Sequence, residues 1–215
     1  METSPLGILQ NRLSFDCPES LLARVVARYA EPHRRYHDWT HILACFDARD
    51  RLTQLRLPEV DLALLFHDAV YEPFASDNEA QSAELLVAEG RQAWLHELVL
   101  QRAKALVLAT RHAGTEPDSV EAGIVLDADL SILGEAPAAF DTYERQVREE
   151  YAVVDAATYA EARSAILRGL LARPSIYATR RGQCLWESSA RENLKGSLRR
   201  LAHCIPKRAV LPDRV

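Results

Sequence analysis

Leu21, Leu22, Val25, Val26 and Tyr29 fall in register on one side of a helix over residues 18–30, and Pro32 stops it. A second helix is predicted from about 38 to 55, before the break at Pro58. A third covers 59–71; it is so dense in Leu and Ala that it belongs at the centre, and Pro73 ends it. Asp77 or Asn78 is placed to cap a fourth over 78–89, with Gly90 closing it. A fifth runs over 93–111, and the stretch HAGTEPDS at 112–119 reads as a turn. The next helix spans 119–132 and stops at Gly134, Pro137 opens another over 137–151, and two more follow over 155–172 and 184–203. Residues 1–16 read as a loosely ordered, flexible lead-in and 205–215 as an extended tail. With no repeat or linker, the pattern predicts one all-α domain of about nine helices over 17–204.

Composition agrees with that reading and narrows the partners. The chain has 215 residues, only 8 of them glycine, and Ala, Leu, Arg and Glu favour helix. Its net charge of -5 gives no broad attraction for a nucleic acid polymer or an anionic membrane. A homo-oligomer is compatible with this composition. Cys17, Cys45, Cys184 and Cys204 form no CxxC pair and read as buried or idle reduced thiols. The N-terminus lacks a basic region followed by a long apolar run, and LALLF at 62–66 is far too short for a bilayer, so the expected setting is the cytoplasm.

Three segments carry polar residues that the helical pattern does not explain. In YHDWTHI, His37 and His41 are four apart and share a helix face, as two surface histidines also would. In FHDAVYE, His67 and Asp68 lie inside the most apolar helix. A buried Asp needs a partner or a metal, unless the helix ends there and Asp68 is solvated. In LDADLSILG, Asp127 and Asp129 sit among Ile124, Val125, Leu126, Leu130 and Ile132; alternatively one faces solvent and the other caps a neighbour. Together they supply imidazole and carboxylate donors, a mixed set suited to Mn, Fe, Co, Ni or Zn with water completing the coordination.

The order H…HD…D resembles the HD superfamily of metal-dependent phosphohydrolases. YHDWTHI is similar to the YHNxxHA signature of the cyclic-nucleotide phosphodiesterases. DADLS is similar to their ADLS signature and to the ADRL element of the stringent-response nucleotide hydrolases. The chain also resembles a bacterial group of predicted HD phosphohydrolases of this length, over about residues 30–200. The resemblance implies a divalent metal ion (Mn, Mg, Fe, Co, Ni or Zn) held by His41, His67, Asp68 and Asp129. It implies His37 as the residue that protonates the leaving oxygen, and Asp68 as a group that also orients or deprotonates the attacking water. Asp127 has no counterpart ligand, and its expected place is beside the ligands or in a cap.

Further positions are less determined. His112 stands where the family often carries another histidine, for phosphate or a second metal, or it ends a helix on backbone carbonyls. Glu79 is a base or acceptor beside the site, or a first-turn acid. Arg35, next to Tyr36, could hold a substrate phosphate bidentately or start a solvated helix. Glu187 and Arg191 are spaced to pair on the last helix. The glutamine with which phosphodiesterases clamp a purine has no match. The expected function is metal-dependent hydrolysis of a small phosphate ester, with nucleotides leading. The alternatives are a non-catalytic metal-binding regulatory domain and an iron-dependent oxygenase.

Overall fold

A computed structural model describes residues 5–111 and 117–205. Among them are ten α-helices and no strand: α1 Pro5–Gln10, α2 Glu19–Arg28, α3 Trp39–Leu52, α4 Pro58–Phe66, α5 Asn78–Gln92, α6 Glu97–Ala109, α7 Val120–Asp129, α8 Pro137–Glu150, α9 Ala156–Ala172 and α10 Arg180–Leu201, with a 3-10 turn Leu130–Gly134 after α7. No described helix is long and apolar enough to cross a membrane. The chain is all-α. Nine of the helices are those the sequence pattern predicts, and α1 is an addition. It lies in the lead-in expected to be loose, and it packs on α2 with Leu9 1% exposed.

Helix α4 is the central element. Glu59 through Phe66 are all buried, because α3, α5, α6 and α7 pack around it. Pro58 opens it at a position where a missing N–H costs nothing. Its one fully buried acid, Asp61, pairs with Arg49 from α3 and accepts from the Ser14 N–H at 2.6 Å. Caps set several other starts. Asp38 accepts from the Thr40 and His41 N–H groups at the head of α3, Ser119 caps α7, and Thr179 caps α10.

Among the differences from the sequence reading, two boundaries and one cap have a local reason. Helix α4 stops at Phe66, not near 71: the Val70 N–H, which a continuing helix would give to the Phe66 carbonyl, goes to Ser82 Oγ at 3.0 Å, and the buried Arg34 guanidinium takes the carbonyls of Asp68 (2.8 Å) and Ala69 (3.3 Å) in the turn that follows. Helix α5 runs through Gly90 to Gln92; that glycine is a point of close approach, since a Cβ there would overlap Leu100 of α6. Neither Asp77 nor Asn78 caps α5 through its side chain; the Asn78 amide instead bonds both ways with the Glu72 backbone. At the far end, the Glu187–Arg191 pair forms at 2.7 Å. Glu187 also accepts from the Ile176 and Tyr177 N–H groups, fastening α10 to the turn after α9.

Candidate metal centre

Four side chains converge where α3, α4 and α7 meet. His41 comes from the first turn of α3, whose start Asp38 fixes. His67 and Asp68 follow directly on α4, and Asp129 is the last residue of α7. Ending α4 at Phe66 matters here. Two adjacent residues diverge by about 100° on a helix, and the turn after Phe66 lets His67 and Asp68 face one point.

The donor atoms crowd that point. His41 Nε2 lies 3.1 Å from His67 Nε2, 3.5 Å from Asp68 Oδ2 and 3.3 Å from Asp129 Oδ1. His67 Nε2 lies 3.2 Å from Asp68 Oδ2 and 3.6 Å from Asp129 Oδ1. Nitrogen and oxygen donors about 2.1 Å from one ion stand about 3.4 Å apart in a tetrahedron and about 3.0 Å apart as octahedral neighbours. The observed separations match that spacing, so the donor set fits a single metal ion. The Leu64 carbonyl accepts from His67 Nδ1 at 3.0 Å, which leaves the Nε2 lone pair for the centre. The histidines form its closed back, at 1–2% exposure, and the two carboxylates its open side at 17%.

Cys45 joins this group: His41, Cys45, His67 and Asp129 present donor atoms within 4.8 Å of one another. Its sulfur is 3.7 Å from His41 Nδ1 and 3.6 Å from His41 Nε2. A sulfur equidistant from both ring nitrogens lies beside the ring, not in front of Nε2. An ion on that lone pair would be roughly 4 Å or more away, against about 2.3 Å for a zinc–sulfur bond. Asp68 is therefore the better fourth donor, and Cys45 packs behind the ring.

Electrostatics inside the cluster are mutual. Burial acts to push both imidazoles down and the Asp68 carboxyl up, and the neighbours reverse all three. His41 is held well above the usual imidazole range by Cys45, Tyr36, Asp129 and Asp68, and His67 by Asp68 and Asp129. Asp68 is held well below the usual carboxylate range by His67, His41 and His37. Protons thus sit where a cation fits, and metal binding must displace them.

His37 stands beside the cluster, its ring centre 6.0 Å from that of His41. Its Nδ1 is 2.7 Å from Glu150 Oε2 at the end of α8, and Tyr71 stacks on its ring at 4.1 Å. Glu150 is a hub. Its Oε1 accepts from the N–H groups of Arg35, Tyr36 and His37, and its Oε2 also accepts from the Tyr71 hydroxyl. Burial works to raise this carboxyl, but His37 and the backbone donors outweigh it and bring it down to about 2. With Nδ1 engaged, Nε2 is the His37 nitrogen free to pass a proton.

Of the other residues singled out from sequence, Tyr36 is at the site. It packs against His41 at 4.7 Å and Tyr143 at 4.5 Å. Arg35 is not. Its guanidinium folds back onto the carbonyls of Pro32 and Arg34 and is exposed, so no phosphate clamp forms there. Asp127 is not at the site either: it accepts from the Ala178 and Thr179 N–H groups and the Thr179 hydroxyl, holding the head of α10. Glu79 lies in the first turn of α5, 3.9 Å from Arg111. His112 falls outside the described residues. Glu150 and Arg34 were missed in the sequence, and both act across long separations that leave no local pattern. Cys45, read as a buried or idle thiol, is buried, and it stands four residues after His41 on the same helix face, a signal of its place at the site that was available.

Two cavities flank the cluster. One of about 780 Å³ reaches Asp129 and His37, and one of about 480 Å³ reaches His41; both touch Tyr36, Ile132 and Tyr143. No family model, curated protein or solved structure matches the chain.

Proposed function

We propose that this chain is a metal-dependent phosphohydrolase of the HD type, acting on a small phosphate ester. The observation that carries the reading is the set of donor separations, 3.1 to 3.6 Å among His41, His67, Asp68 and Asp129, with a carboxylate-held histidine alongside. A divalent ion bound there would supply a Lewis acid for the phosphoryl oxygen and an acidified water as nucleophile. The protein's own groups do the rest. Asp68 and Asp129, on the open side, face the substrate and can orient the incoming water. Water adds at phosphorus, the P–O bond to the organic group breaks, and His37 delivers a proton from Nε2 to the departing oxygen. An alcohol and a phosphate result. Glu150 positions His37 for that transfer by taking its Nδ1 hydrogen. Two of the four free thiols are exposed, which suits the reducing cytoplasm and makes that setting part of the same proposal.

The test is product release from a panel of nucleotides and simple phosphate mono- and diesters with Mn, Mg, Co or Zn, beside Asp68→Ala. Metal-dependent turnover by the native chain and none by the variant is the expected result. No turnover with any metal, while the native chain holds an ion stoichiometrically, would overturn the reading in favour of a non-catalytic metal-binding domain or oxygen chemistry.

A further inference from the structure

The two cavities beside the cluster differ in charge and in polarity. The smaller one contains two acids and one base, Asp47, Glu135 and Arg51, and Arg51 is already paired with Glu135 at 2.5 Å. It also offers hydrogen-bonding side chains, among them Thr40, Ser131, Thr142 and Gln146. An anion is not favoured there. The larger one carries Arg111, Arg163 and Arg173, and its one acid among the described residues is Asp129 of the cluster. Arg163 is committed to Glu144 and the Tyr143 hydroxyl, while Arg111 is 52% exposed, 3.9 Å from Glu79 and 3.4 Å from the Ser76 carbonyl. Cationic character and the open carboxylate side of the cluster coincide in this cavity, so the phosphate belongs here.

Tyr36, His37 and Tyr143 line it near the cluster, and the rest of its wall is aliphatic. Leu130, Ile132 and Leu133 of the 3-10 turn face Ile166 and Leu170 of α9. Arg163, Ile166 and Leu170 repeat at the spacing of one helix face. No Ser, Thr, Asn, Gln or Glu lines it among the described residues. Of its polar side chains, the Tyr143 hydroxyl is taken by Arg163 and His37 Nδ1 by Glu150, so a nucleobase would find few partners for its edge, and unpaired polar edges cost affinity. Ile166 is 55% exposed, a large apolar side chain left open to solvent on this wall. The volume of about 780 Å³ exceeds what a phosphate ion needs and lies within the roughly 300–1,000 Å³ of small-ligand pockets.

We infer that the ligand of this site is a phosphate ester with a largely apolar organic body, bound with its phosphate at the cluster and its body along Ile132, Ile166 and Leu170; the phosphate end rests on the function proposed above. The body is read by shape and apolar area. Selectivity among bases is absent, and chain length counts.

The probes are methyl-, butyl- and hexylphosphonate, which cannot be hydrolysed, titrated calorimetrically into the zinc-loaded full chain. Each added methylene is expected to tighten binding by about fourfold, the equivalent of about 0.8 kcal/mol per buried CH2. Ile166→Ser, at a position 55% exposed and with no charge added to the cavity, flattens the series. A flat series in the native protein overturns the inference, and so does an unchanged series in Ile166→Ser. Nucleoside phosphonates that bind tenfold tighter than hexylphosphonate, with one base preferred, also overturn it. Chain-length dependence without hydrolysis of any ester would sink the phosphohydrolase reading and leave the ligand class standing. Turnover with a flat series would do the reverse.

Discussion

Asp127 and Asp129 stand two positions apart at the end of α7, and their carboxylates have unrelated tasks. Asp129 faces His41 and His67, while Asp127 turns away to hold the Ala178 and Thr179 N–H groups. The variants therefore separate. Asp127→Ala should retain the metal and lose about 1–3 kcal/mol of stability in urea titrations, because it strands buried donors. Asp129→Ala should lose the metal, measured as ions per chain. Cys45→Ser should keep it, since the sulfur lies beside the His41 ring. Glu150 makes a pH-dependent contribution. Its folded pKa, about 2, is below its ordinary value of 4.5, so its stabilisation is complete above that value and is lost as pH falls through about 2. The full contribution is on the order of 3 kcal/mol at most. Native protein should lose stability between about pH 5 and 2. Glu150→Gln should show a shallower slope in denaturant titrations across that window, and equal slopes would refute the assignment.

At the scale of elements, Arg34 ties the loop before α3 to the turn after α4. From that loop it reaches the carbonyls of His37, Asp68 and Ala69, pairs with Glu31, and lies over the rings of Tyr29 and Tyr71. It thus holds both the turn after α4 and the approach to α3, and with them the directions of Asp68 and His37. Arg34→Met should cost on the order of 3 kcal/mol, as hydrogen bonds to a buried charge are removed. It should also weaken metal binding, although Arg34 touches no donor atom; a variant with intact metal affinity would remove it from this role. The helices themselves were legible in the sequence, because proline starts, polar caps and apolar registers are local signals. The true end of α4 was not, since Ser82 and Arg34, from other segments, take the backbone groups of the turn that follows it. Helix α1 was also hidden, being too short for its register to stand out before Leu9 finds the core.

At the scale of the whole molecule, the cluster gathers residues from three helices, and Glu150 adds a fourth through His37. That three segments carry site residues was legible because charged side chains inside apolar helices need an explanation, while the choice of His41 over His37 and of Asp129 over Asp127 came from the resemblance to HD phosphohydrolases. The groups that hold them were not legible: Glu150 reads as one more acid at the end of an amphipathic helix, 113 residues from the ring it holds. A centre assembled this way exists only when α3, α4 and α7 are docked, so the ion binds the folded chain and not the unfolded one. Binding of that kind stabilises by about 2.7 kcal/mol when free metal is a hundred times its dissociation constant. For a chain of this length, each kcal/mol corresponds to about 2–4 °C in Tm. Saturating metal should therefore raise the Tm of chelator-stripped protein by about 5–10 °C in a scanning calorimeter. Asp129→Ala, whose side chain is near the surface of the centre, should fold and show no such rise. An equal rise in that variant would mean that the ion binds somewhere else on the molecule, and the centre described here would lose its claim to it.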